Sequence, residues 1–228
     1  MENDFIGILK ELGLSPKDRQ IYEKAFTHRS YLNESKEATE SNERLEFLGD
    51  SVLSFIVSSF LFNLRTEDNE GALTNLRAYI VKTDSLAKAS QKLGLGKYLK
   101  LSKGEEVSGG RENTQILANT FEAVLGATFL DQGIEAARTL VHKALLPLFS
   151  EEIKKGAPRD PKSELQELVQ SRFQVSPKYK TLASLGPDHA KRFTVGVFVR
   201  EDQIGEGNGS NKQQAEEEAA KEALKKLT

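Results

Sequence analysis

The chain contains no cysteine. That excludes a disulfide, a thiolate metal site and a cysteine nucleophile, and it fits a reducing compartment. An excess of charge of either sign is also missing: 32 Lys and Arg face 34 Asp and Glu, a net −2. Overall basicity therefore does not announce a nucleic-acid partner. Residues 156–228 carry 12 basic and 11 acidic side chains, and residues 1–155 carry 20 and 23. Any phosphate-binding surface must come from local clustering. The N-terminus lacks the basic-then-apolar order of a secretory leader, and the apolar run Val52–Leu64 is too short and serine-rich to span a bilayer. These absences predict a cytoplasmic protein with no membrane partner. What remains, 228 residues with 38% hydrophobic content, suits one or two globular domains.

The stretch Asn42-Glu43-Arg44-Leu45-Glu46-Phe47-Leu48-Gly49-Asp50-Ser51-Val52-Leu53 stands out. On a helix, Glu43, Glu46 and Asp50 share an arc of about 60°, and Leu45, Leu48 and Val52 occupy the opposite arc. The nearly all-apolar continuation to Leu64 predicts a buried central helix. Carboxylates at this spacing repel. Either they form a solvated stripe paired with Arg44 or Arg29, or they hold a hard cation such as Mg²⁺. A second apolar helix, Leu117–Asp131, places Asn119 and Glu122 on one face. Its small residues Ala118, Ala123, Gly126 and Ala127 allow close approach to a neighbour. Two core helices turning oxygen ligands toward each other make a shared cation site.

Elsewhere the first 155 residues read as helices. Asp18–Phe26 is followed by Thr27–Tyr31, a polar loop from Asn33 to Ser41, and then the central helix. His28 reads as a hydrogen-bonded structural residue. A charged loop, Arg65–Gly71, precedes helices Ala72–Val81 and Thr83–Leu93, with Thr83 as N-cap. Lys97–Arg111 reads as a glycine-rich loop, and Ile134–Phe149 as the last helix of the domain. Residues 156–161, with two prolines and a glycine, form a linker. Beyond it the period changes. A helix Ser163–Phe173, strands at Lys178–Leu185 and Phe193–Val199, a short third strand at Ile204, and a helix Asn211–Leu227 give the order α-β-β-β-α.

The two acidic segments, with Lys103-Gly104-Glu105 and Ser108-Gly109-Gly110-Arg111, resemble the bacterial ribonuclease III signature. The C-terminal order resembles the double-stranded-RNA-binding domain. The resemblance implies an all-α endonuclease domain at 1–155, a linker at 156–161, and a small α+β RNA-binding domain at 162–228. The implied activity is Mg²⁺-dependent cleavage of double-stranded RNA, with Mn²⁺ able to substitute, in processing of rRNA precursors and other transcripts. The products would carry 5′-phosphate and 3′-hydroxyl ends with short 3′ overhangs.

It implies metal ligation by Glu46, Asp50, Asn119 and Glu122, with Asp50 and Glu122 foremost in catalysis. It also implies a homodimer with two sites, for which Phe47 and Leu48 are the apolar interface residues and Glu43 an interface or substrate-strand residue. Glu70 resembles an acidic residue near the substrate strand. Gln166 and Glu167 resemble minor-groove contacts, and His189, in Gly186–His189, sits in a loop resembling one that enters the next groove. Lys212 and Gln213 resemble the phosphate clamp at a helix start. Two departures matter. Asn119 stands where the family carries aspartate, which leaves open a double-stranded-RNA-binding protein with weakened or lost cleavage. Gln213 and Gln214 stand where further basic residues are usual.

Overall fold

A computed structural model of the chain describes residues 5–35, 40–158, 160–185 and 191–227. It divides into two compact units, Met1–Ala157 and Pro158–Thr228. The first is helical. Its elements are α1 (Phe5–Glu11), α2 (Arg19–Ala25), α3 (Glu43–Leu64), α4 (Glu70–Val81), α5 (Thr83–Leu93), α6 (Lys103–Val107), α7 (Thr114–Gln132), α8 (Ile134–Ala144) and α9 (Ser150–Lys155). The second comprises α10 (Pro161–Phe173), β1 (Lys178–Leu185), β2 (Arg192–Val199), β3 (Asp202–Gly209) and α11 (Lys212–Leu227).

α3 and α7 form the most extensive helix pair of the first unit. α3 buries Leu45, Val52, Leu53, Ile56, Val57 and Leu61, while α7 buries residues almost all round its circumference. Small residues bring the two backbones together. A β carbon at Gly126 would lie 2.3 Å from the Leu45 carbonyl oxygen, so only glycine fits this crossing. α3 is 22 residues long, beginning well before the run Val52–Leu64. Among the described residues it is the one helix long and apolar enough to cross a membrane. Here it is the central helix of a packed core.

Several boundaries differ from the sequence expectations, each for a local reason. Thr83 is the first helical residue of α5 rather than its cap; Lys82 occupies the cap position without a side-chain bond. Asn69 caps α4, accepting from the Ala72 N–H at 2.9 Å, so that helix begins at Glu70. The segment expected to be a loop, Lys97–Arg111, contains α6, capped by Ser102, and is held by Arg111. The Arg111 guanidinium donates to the carbonyls of Gly96, Lys97 and Leu99 at 3.0, 3.3 and 2.9 Å. Ile134–Phe149 is interrupted at Leu145, two residues before Pro147, and resumes as a 3₁₀ turn and α9. Pro161 is not linker but the first residue of α10, capped by Asp160, whose carboxylate accepts from the Ser163 N–H and hydroxyl.

The second unit is an antiparallel sheet of order β1-β2-β3 with α11 packed on β3 and β2 and α10 packed against α11. Val197 of β2 joins Leu165, Val169, Ala219 and Ala223 in its core. β3 runs for eight residues, well beyond the short strand expected at Ile204. The reason is contact with α11: a β carbon at Gly207 would lie 2.2 Å from both the Ala215 carbonyl oxygen and the Ala219 nitrogen. The glycines that make this strand a poor one in isolation let a helix lie directly on it.

Candidate active site

Glu46 and Asp50 project from α3, and Asn119 and Glu122 from α7. What aligns the two pairs is Gly49, which sits between the two α3 acids. A β carbon there would lie 1.8 Å from the Glu122 carbonyl oxygen. The missing side chain lets the backbone of α3 rest on the backbone that carries Glu122.

The electrostatics record the crowding. Burial, then the charges of Asp50 and Glu46, push the Glu122 carboxyl up to about 8. Burial, then Glu43, also raises Glu46, and a hydrogen bond from the Asn119 side chain opposes that rise. Among the described residues no three His, Cys, Asp or Glu side chains converge into a closed metal-binding group. Glu46 and Asp50 of α3 are nonetheless near enough to Glu122 of α7 for their charges to raise its carboxyl. The donor set fits a hard cation: it is entirely oxygen, and Mg²⁺ takes few carboxylates and retains several waters. The mutual repulsion is the kind a divalent ion relieves.

Asn119 lies beside Glu46, but its Oδ1 already accepts from Gln115 Nε2 at 2.6 Å. Glu43 stands outside the cleft. It is exposed, accepts from the Ser41 hydroxyl at 2.8 Å, and lies 3.7 Å from the Arg29 guanidinium. Glu70, at the exposed start of α4, accepts from Thr74. The His28 ring nitrogen caps the turn at Arg29–Asn33, as a structural residue does.

The pair Phe47 and Leu48 divides. Phe47 is 78% exposed, whereas Leu48 packs partly against its own core. Phe47 is instead continued by Phe55 and Phe62, 58% and 70% exposed. Together with Ser51 these fall within about 80° of arc on α3. Periodicity could have shown this stripe, but it was hidden in a helix that is apolar on nearly every side. Gln115 was also missed; its signal was the four-residue spacing to Asn119.

In the second unit, Gln166 and Glu167 are exposed on α10, and Lys212 and Gln213 at the start of α11. His189 and the Gly186–His189 loop lie outside the described residues. The two glutamines are less available than their chemistry suggests. Gln214 is committed to capping, its Oε1 accepting from the Ser210 N–H and hydroxyl at 2.9 and 2.8 Å. Gln213 donates to Glu217 at 3.1 Å. Lys212 carries the positive charge of this helix start.

Comparison with known proteins identifies both units. A family model described as ribonuclease-III-like matches residues 18–148, and one described as a double-stranded RNA binding motif matches 161–227. A Ribonuclease 3 of Pelotomaculum thermopropionicum is 46% identical over 225 residues, covering 98% of this chain and 93% of that protein. One from Nitratiruptor sp. is 43% identical over 218 residues, covering 96% and 94%. The nuclease domain of Campylobacter jejuni ribonuclease III, described for flexibility in a region involved in dimer formation, matches with a TM-score of 0.60 at 37% identity. That match covers 64% of this chain and 99% of the domain. An acidic-cleft helical domain joined to an α-β-β-β-α module defines a nuclease directed at structured RNA. The chain belongs to the ribonuclease III family of double-stranded-RNA endoribonucleases.

Proposed function

We propose that this chain cuts both strands of duplex RNA as a homodimer, using Mg²⁺, with Mn²⁺ able to substitute, at the cleft of Glu46, Asp50 and Glu122. The observation that supports the reading is the close approach of Gly49 to the Glu122 backbone, which lays α3 against α7 where the charges of Asp50 and Glu46 reach the Glu122 carboxyl. A bound divalent ion there supplies an activated water and neutralises charge on the transferring phosphate. Glu46, Asp50 and Glu122 provide hard oxygen ligands. The buried position of Glu122 favours exchange of its proton for the cation. Cleavage of this kind leaves 5′-phosphate and 3′-hydroxyl ends. The exposed phenylalanine stripe on α3 suits a two-fold interface that places two clefts on opposite strands of a duplex. The second unit reads A-form shape and phosphates through Gln166, Glu167 and Lys212, without base sequence. Precursor RNAs in the cytoplasm are the substrates of this proposal.

Asn119 sustains the second reading, a double-stranded-RNA-binding protein with weak cleavage, because its oxygen faces Gln115 rather than the cleft. Incubating a long RNA duplex with the protein, with and without Mg²⁺, separates the two when binding of the same duplex is measured alongside. Metal-dependent cutting supports the nuclease reading. Tight binding with no cutting at any Mg²⁺ or Mn²⁺ concentration overturns it.

A further inference from the structure

Asparagine is among the residues that best cap a helix, because its side-chain oxygen accepts from the exposed N–H groups of the first turn. Asn42 immediately precedes α3 and makes no such bond. It is 3% exposed, and its side chain turns back instead: Nδ2 donates to the Ala25 carbonyl at 3.3 Å, a buried contact. Its backbone N–H donates to the Thr27 carbonyl at 2.9 Å. Its own carbonyl accepts from the Leu45 and Glu46 N–H groups, both at 2.9 Å. Asn42 thus ties the first turn of α3, with Glu43 and Glu46, to the end of α2.

That anchor is itself held. The Phe26 carbonyl accepts from the Lys100 N–H at 2.8 Å, and the His28 N–H donates to the Lys100 carbonyl at 3.1 Å, so Thr27 and Lys100 bridge as parallel strands do. Tyr22, Ala25 and Phe26 lie in the core. From Leu45 onward α3 rests on α7, where Leu45 meets Gly126. Ahead of Leu45 the helix backbone is tied to the rest of the domain through Asn42. A helix end frays unless its first N–H and C=O groups are held, and Glu46 lies within that first turn.

We propose that Asn42 is a positioning residue for cleavage: its buried bond to the Ala25 carbonyl keeps the first turn of α3 wound, so that Glu46 stays within reach of Asp50 and Glu122. This rests on the reading of those carboxylates as a cation site. The donor is what the position requires, since only an N–H or O–H can satisfy a carbonyl. Serine and aspartate start a helix as well as asparagine does. Serine, however, is too short to span to Ala25, and an ionised aspartate fills the same space with nothing to donate.

The test compares the full-length parent with Asn42→Ser and Asn42→Asp, by amide hydrogen exchange without metal and by cleavage and binding of an RNA duplex in Mg²⁺. In both variants the Leu45 and Glu46 amides should exchange about tenfold faster, the scale of one hydrogen bond, while Leu53 and Val57 farther along α3 keep parent protection. Cleavage at saturating duplex should fall about tenfold, with the duplex dissociation constant unchanged. Parent-like exchange, or faster exchange with parent-like cleavage, overturns the proposal alone. Protection lost along the whole of α3 in the milder Asn42→Ser also overturns it, because Asn42 would then stabilise the fold at large. A parent protein that cuts no duplex at any Mg²⁺ concentration overturns the cation reading, and the positioning of Glu46 with it.

Discussion

A β carbon at Gly49 would lie 1.8 Å from the carbonyl oxygen of Glu122. No side-chain movement relieves that overlap, because the obstructing atom is backbone. Gly49→Ala must push α3 away from α7 and separate Glu46 and Asp50 from Glu122. Overpacking of this kind costs about 1–3 kcal/mol or more. Denaturant unfolding should show a loss at the upper end of that range, and duplex cleavage should fall more than duplex binding. Parent-like stability and cleavage would show that the two helices have slack at this crossing.

The Glu122 carboxyl stands at about 8 in the fold, against an ordinary 4.5. A raised carboxyl keeps its proton in the folded state after the unfolded chain has lost it. In metal-free protein, stability from this group is therefore full below pH 4.5 and falls as the pH rises through 8. Thermal unfolding of the nuclease domain in chelator across that window should show the decline, and Glu122→Gln should flatten it. Saturating Mg²⁺ should also raise stability most at high pH, where no proton competes. An equal slope in parent and Glu122→Gln would remove this group as its source.

How much of this was legible in the sequence depended on which physical signal each residue leaves. Helical period places Glu43, Glu46 and Asp50 on one face of one apolar helix and Asn119 and Glu122 on one face of another, and the resemblance to ribonuclease III singled out Glu46, Asp50, Asn119 and Glu122 from them. Gly49 and Gly207 could not be read as contact points: inside a helix or strand a glycine registers as a local cost, and its benefit exists only when a partner backbone arrives. That is why β3 was expected to be short, although it runs from Asp202 to Gly209. Arg111 likewise gave no pattern, since its three carbonyl acceptors cluster only after the Leu95–Tyr98 turn has formed.

Phe47, Phe55 and Phe62 leave one side of α3 apolar and exposed. Covering that stripe by a second copy predicts that Phe47→Glu shifts the protein to monomer in sedimentation or light scattering at micromolar concentration. The phenylalanine is outside the core, so the fold should persist by circular dichroism. A variant that remains dimeric would place the interface elsewhere.

The Tyr179 hydroxyl is buried with no hydrogen-bond partner, and burial, then Glu216 and Asp160, push its pKa up to about 12. Removing an unsatisfied buried hydroxyl relieves a desolvation cost of about 1–3 kcal/mol. Tyr179→Phe keeps the ring under the Lys162 ammonium, which lies 5.0 Å from its centroid. The RNA-binding domain should therefore unfold at the same or a higher temperature, with duplex affinity unchanged. A lower unfolding temperature would mean that the hydroxyl is satisfied in solution.

The most direct test of the catalytic account is Glu122→Gln, assayed for cleavage and for binding on the same RNA duplex in Mg²⁺. The amide keeps the size of the side chain and removes its charge, and the second unit is untouched. The account predicts that cleavage falls by about 10³-fold or more, roughly 4 kcal/mol of transition-state stabilisation, while the dissociation constant changes little. Cleavage within about tenfold of the parent, roughly 1.4 kcal/mol, would contradict it.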